Sequence, residues 1–222
     1  MTKGRPTIDQ ILTSLTNEVL FGKTYLGIGK GLAGADPIAL NTSRTFFGLT
    51  LEACLQMSQM FAAKLYDKTR GVVAVKSLLD TARSQAAMFK YGTPQEVTAA
   101  VKEAERRIAC LVPILKSVQD RRNQALAHLD PRTVTNPVGL GVNAKLTLAD
   151  LEKVFEVTGA ILNDFLRLSR DTTSIMRLAD EDDFTSALDL IADAKHAQVD
   201  KYESDFKQPC PFPRPRKPKS VW

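Results

Sequence analysis

In one segment of this chain after another, apolar residues recur at intervals of three and four, and no segment alternates apolar with polar over a convincing length. That spacing keeps apolar side chains on one face of a helix, whereas a half-buried strand needs a period of two. The chain is therefore expected to be all-α: an antiparallel helical bundle of about six helices, without a sheet. No internal repeat is visible.

A first helix of about 8–26 carries Ile8, Ile11, Leu12, Leu15, Val19 and Leu20, with Thr7 and Asp9 near its start. Glycines at 27, 29, 31 and 34 are expected to loosen its far end. Pro37 opens a second helix of about 38–66. Its stripe of Phe46, Phe47, Thr50, Ala53, Cys54, Met57, Met60, Phe61 and Leu65 reads as core, not as a cofactor pocket. A third helix, about 73–89, carries Val75, Leu78, Leu79, Ala82 and Ala86 and is broken by Tyr91-Gly92-Thr93-Pro94. Thr93, Pro94 and Glu96 then cap a fourth helix of about 94–128, which Pro113 should kink or split. Residues 131–145 read as a loop rich in Pro, Gly and Asn. Thr147 and Asp150 start a fifth helix, with Leu151, Val154, Phe155, Val157, Ile161, Leu162, Phe165 and Leu168 as its apolar residues. Asp180-Glu181-Asp182-Asp183 suits the positive N-terminus of a sixth, from Phe184 to about Phe206.

Residues 209–222 differ in kind. Pro209-Cys210-Pro211-Phe212-Pro213-Arg214-Pro215-Arg216-Lys217-Pro218-Lys219 excludes helix and reads as an extended or disordered basic tail behind one helical domain of 1–208. The tail holds four cations and no acid, so the chain's net charge of +5 leaves only +1 on residues 1–208. Overall basicity is thus no argument for nucleic-acid binding by the helical body. The tail reads first as a solvated terminus, with a partner-binding strip and an RNA-attracting arm as alternatives, and Phe212 and Trp222 slightly favour partner contact.

Several function classes drop out. Cys54, Cys110 and Cys210 are odd in number and far apart, as expected of reduced thiols in a cytoplasmic protein. With only His128 and His196 as histidines, no metal site is expected, and no cofactor. The start, Met1 to Pro6, leads into polar sequence and offers no signal core. The longest apolar stretch, around Ile108–Leu115, is too short to span a bilayer, so no membrane association is expected. The glycines at 27–34 follow a helix and not a strand, so a dinucleotide fingerprint fails, and GxSxG and HExxH are absent.

What remains is Asp120-Arg121-Arg122-Asn123-Gln124-Ala125-Leu126-Ala127-His128-Leu129-Asp130. Arginine suits a phosphate because its planar fork makes two parallel hydrogen bonds and keeps its charge. Histidine moves a proton near neutral pH. Together they can cleave RNA without a metal: the 2′-hydroxyl attacks the adjacent phosphorus while arginine stabilises charge on the phosphate oxygens, and Asn123 can orient either partner. At about 100° per residue, Arg122 and His128 stand roughly 120° apart on an ideal helix, whereas Arg121 and His128 are nearly in line. Either a distorted helix or a second subunit must complete a site built on Arg122; otherwise Arg121 is the phosphate ligand. The plain alternative is an exposed helix end whose cations complement the dipole. His196, in Asp193-Ala194-Lys195-His196, reads as solvated surface without a partner.

Arg122-Asn123 followed by four residues and His128 resembles the signature of the HEPN superfamily. Ala127-His128-Leu129-Asp130 is similar to its abortive-infection branch, and Phe61-Ala62-Ala63-Lys64-Leu65-Tyr66-Asp67-Lys68 resembles the end of a helix in that branch. By itself Tyr66-Asp67 reads as a helix end. The resemblance covers roughly residues 10–170. It implies a helical bundle, a homodimer with two motifs in one cleft, and metal-independent endoribonuclease activity. The expected catalytic residues are then Arg122, Asn123 and His128, with Arg121 and Arg132 binding RNA. The implied setting is the toxin of a phage-defence or toxin–antitoxin pair, with a cognate antitoxin as partner. Two alternatives stay open: a catalytically silent HEPN module binding nucleotide, RNA or protein, and a structural helical adaptor.

Overall fold

The computed structural model describes residues 6–69, 71–122, 146–174 and 183–206. Among them there is no strand, and the chain is an all-helical bundle. Its elements are α1 (Ile8–Gly34), α2 (Pro37–Leu40), α3 (Arg44–Leu65), α4 (Val75–Ser84), α5 (Pro94–Ala109), α6 (Val112–Arg121), α7 (Leu148–Arg170) and α8 (Asp183–Phe206). The expected loop at 131–145 and the Pro-rich tail lie outside the described residues.

Three helix starts are set by reciprocal capping bonds, which satisfy backbone N–H groups the first turn leaves orphaned. Thr7 Oγ1 accepts from Gln10 N at 3.2 Å while Gln10 Oε1 accepts from Thr7 N at 2.9 Å. Thr93 and Glu96 do the same at α5, and Thr147 and Asp150 at α7. Pro113 splits the expected fourth helix: α5 ends at Ala109, and α6 begins with the proline in its first turn, where no N–H is needed. α8 begins at Asp183, beside the expected position, while Asp180, Glu181 and Asp182 of the acidic run lie outside the described residues.

Four expectations about the helices are corrected. α1 does not loosen at residue 27 but runs on to Gly34. Two of these glycines serve close packing: a Cβ on Gly29 would stand 3.0 Å from Leu55 Cδ2, and one on Gly31 would stand 3.2 Å from Thr185 Oγ1. The expected helix 38–66 is interrupted by a 3-10 turn at Asn41–Ser43, where the Thr42 hydroxyl donates to the Ala39 carbonyl at 2.6 Å. Short polar side chains compete with the helix for its own carbonyls. α4 also ends early, at Ser84, whose hydroxyl bonds the carbonyls of Asp80 and Thr81, and a separate 3-10 turn covers Ala86–Met88. The apolar stripe of α3 is core only in part. Cys54 and Leu65 are buried, but Phe46 is 59% exposed and Met57 39%, as is Leu49 beside the stripe at 64%.

The chain divides into two compact units. One comprises residues 1–26 and 56–178, and its core gathers Leu12, Leu15, Val19, Leu65, Leu78, Val101, Phe155 and Phe165. Here α5 packs on both α4 and α7, and α6 packs on α7. Arg107 of α5 reaches Asp164 of α7 at 3.0 Å and also bonds Glu103 on its own helix. The other unit comprises residues 27–55 and 179–222, and in it α8 packs on α2. His196 lies in this second unit and is not the unpartnered surface residue expected. It is half-buried, with Nε2 3.0 Å from Asp36 Oδ2, while Asp36 also caps α2 by accepting from Ile38 N at 2.9 Å.

Candidate functional site

α6 carries Arg121 as its last residue and Arg122 as its C-cap, still with helical backbone angles. The segment that leaves α3 runs beside this end. Asp67 Oδ2 accepts from Arg122 Nη1 at 3.1 Å, and Asp67 Oδ1 accepts from Thr69 N at 2.8 Å. The pair is shielded, with the Asp67 side chain 13% exposed and that of Arg122 30%. Hydrogen bonds from the Thr69 side chain and backbone, then the Arg122 guanidinium, hold the Asp67 carboxyl below its usual range.

Further bonds fix this segment. Gln119 of α6 donates to the Ala63 carbonyl at 3.2 Å. The Tyr66 hydroxyl lies 2.8 Å from Thr158 Oγ1, and the single Thr158 hydroxyl hydrogen goes to the Val154 carbonyl at 2.6 Å. The Tyr66 O–H is therefore the donor to Thr158. Burial pushes the Tyr66 phenol up to about 12, so it stays a neutral donor across the physiological range. Residues 63–67 are thus pinned to α6 on one side and α7 on the other, and Asp67 presents a fixed carboxylate to Arg122.

Of the residues expected to form a site, Arg121 and Arg122 stand together at the end of α6. Arg121 is half-buried and makes no ion pair with another described residue. Asn123, His128 and Arg132 lie outside the described residues. Asp67 enters the site as a direct partner of Arg122, a contact across 55 positions that no local pattern announces. Sequence similarity alone had drawn attention to Tyr66-Asp67. Among the described residues no three His, Cys, Asp or Glu side chains cluster to hold a metal ion. No described helix is long and apolar enough to cross a membrane.

Chemically, the arrangement offers a guanidinium with one N–H committed to a carboxylate. An arginine has five N–H donors, so the others can meet a phosphate oxygen without breaking that bond. Anchoring one edge of the fork limits the rotamers available to the rest, which lowers the entropy lost when an anion binds.

Comparison with known proteins places the chain in a family. No curated protein and no solved structure matches the chain. The family model HEPN_AbiU2, described as AbiU2, matches residues 8–196, a span that takes in Asp67, Arg122 and His128 alike. With most of its length inside that match, the chain belongs to the HEPN_AbiU2 family.

Proposed function

We propose that this protein is a metal-independent endoribonuclease acting as a cytoplasmic homodimer, the toxin of a phage-defence or toxin–antitoxin pair with a cognate antitoxin. Arg122 binds the scissile phosphate, His128 moves the proton and Asn123 orients the reacting groups. Arg121 and Arg132 hold the RNA on either side. In the reaction the 2′-oxygen bonds to phosphorus as its proton leaves. The bond to the 5′-oxygen breaks, and that oxygen takes up a proton. The products are a 2′,3′-cyclic phosphate and a 5′-hydroxyl, with no metal in the balance.

The observation that supports this reading most is the anchored guanidinium. Arg122 is held at 3.1 Å by a shielded carboxylate, within the span of the HEPN match, six residues before the histidine of the motif. The same ion pair favours a second reading, a catalytically silent HEPN module binding nucleotide, RNA or protein, because a carboxylate already satisfies part of the phosphate ligand. Purified protein incubated with total RNA in excess EDTA separates the two. Cleavage that survives chelation and leaves 2′,3′-cyclic phosphate ends is expected. RNA that stays intact with EDTA and with magnesium overturns the enzyme reading.

A further inference from the structure

Beside the Arg122–Asp67 pair, α4, α5 and α6 enclose a cleft of about 840 Å³. Its floor is aliphatic, formed by Val75, Leu79, Ile108 and Leu115, of which Val75 and Leu79 are buried in the core. Asp67, which holds Arg122 at 3.1 Å, is part of its wall. Charged groups of both signs line it. Asp80 is engaged by Lys76 and Arg83, and Glu105 by Arg83, whereas Lys68, Lys116 and Asp120 form no ion pair with another described residue.

We propose that this cleft receives the unstacked bases of a single RNA strand next to the phosphate held by Arg122. The assignment rests on the ribonuclease reading above and adds to it the form of the substrate. A ligand recognised by phosphate alone would gain nothing from an aliphatic floor, and a purely apolar ligand would desolvate Lys68, Lys116 and Asp120, which have no ion-pair partner among the described residues. A nucleobase fits both features. Its faces are apolar, and its edge carries acceptors for Lys116 and, in adenine, cytosine and guanine, amine donors for Asp120. Bases inside a duplex present neither face, so the cleft selects single strands. The volume falls in the range of small-ligand sites and accommodates roughly two nucleotides.

Two exposed lining positions allow a test without disturbing the core: Ala109, at the end of α5, and Val112, at the start of α6 and 57% exposed. Ala109→Trp fills the cleft and Val112→Glu places an anion in it. The probe is a single strand of about ten nucleotides with 2′-O-methyl riboses, which cannot be cleaved, followed by fluorescence anisotropy. Each variant should bind it at least about tenfold more weakly than wild type, in line with the loss of one or two base contacts. Both variants should melt as wild type, and an abasic strand of equal length should bind wild type and Ala109→Trp alike. In cleavage assays KM rises while kcat at saturation holds. Lys102→Glu on the outer face of α5 serves as the charge control. If the filled variants bind the strand as wild type does while wild type still cleaves RNA, the cleft assignment falls and the ribonuclease reading stands. Unchanged RNA binding with lost affinity for an amphipathic helical peptide would give the cleft to a protein partner and overturn the assignment. A wild-type protein that neither binds nor cleaves RNA removes the ribonuclease reading, and this one with it.

Discussion

Asp67 Oδ2 and Arg122 Nη1 meet at 3.1 Å although 55 residues separate them, so the guanidinium at the end of α6 is positioned by the segment leaving α3. Arg122→Ala and His128→Ala are each expected to abolish RNA cleavage and leave helix content unchanged. Asp67→Ala should keep the fold, cost about 1 kcal/mol for a shielded charge-assisted bond, and lower kcat more than it raises KM, because Arg122 loses its anchor. Gel assays on labelled RNA with circular dichroism check all three. Wild-type cleavage by both Arg122→Ala and His128→Ala would refute the site.

Acid should loosen the same contact. The folded Asp67 carboxyl sits below its ordinary value, and so does Asp9, through hydrogen bonds from Arg170 and Ser169. A carboxyl lowered by folding contributes stability above its unfolded pKa of about 4 and loses it as pH falls through the folded value. Urea midpoints should therefore be insensitive to these two groups from pH 7 to about 5 and decline below about 4. Asp67→Asn and Asp9→Asn should each flatten that decline. An acid limb identical to wild type in both variants would contradict this.

The Tyr66–Thr158 bond predicts a measurable coupling. Tyr66→Phe removes the donor and leaves Thr158 satisfied through Val154, so a loss of about 1 kcal/mol is expected. A double-mutant cycle with Thr158→Val should return a coupling of at least about 0.5 kcal/mol. Additive effects would mean that the two hydroxyls do not communicate.

Two glycines should respond in opposite directions. A Cβ on Gly22 would run into the Phe155 ring, whereas one on Gly48 meets nothing within 4 Å. Gly22→Ala should destabilise by about 1–3 kcal/mol through overpacking. Gly48→Ala, in the body of α3, should stabilise by about 0.5–1 kcal/mol by removing backbone freedom from the unfolded chain. Thermal melts of the two variants suffice, and a common sign would refute the packing argument.

Light scattering should give twice the chain mass if the proposed homodimer forms. Mixing an Arg122→Ala chain with a His128→Ala chain then tests how the two residues are shared. Recovered cleavage means that a site draws Arg122 from one subunit and His128 from the other. A dead mixture means that each site is built from one chain. A monomer that cleaves RNA would refute the dimer.

What could be read from the sequence was local. Thr93 with Glu96 and Thr147 with Asp150 announce helix starts because a capping bond spans three residues, and Pro113 announces a break because its ring cannot sit in a helix interior. The glycines after Leu26 misled because close helix packing and helix termination call for the same residue. Phe46 looked like core because periodicity identifies an apolar face without telling what covers it. The partners Asp67–Arg122 and Asp36–His196 lie 55 and 160 positions apart, and no periodic pattern links residues at such distances. The motif gave the position of Arg122 but not the carboxylate that holds it.

The Arg107–Asp164 bridge has a consequence for alignment. Apolar contacts are non-directional, so the stripe of Val97, Val101 and Ala104 could slide along α7 by one turn, about 5.4 Å, and still find aliphatic neighbours. Such a shift would break the 3.0 Å bond between two half-buried side chains and leave each with only a partner on its own helix, Glu103 for Arg107 and Arg167 for Asp164. The bridge therefore acts as a detent that favours one alignment of α5 on α7. Since α6 follows α5 after only Cys110 and Leu111, that detent also fixes the height at which Arg122 emerges opposite Asp67.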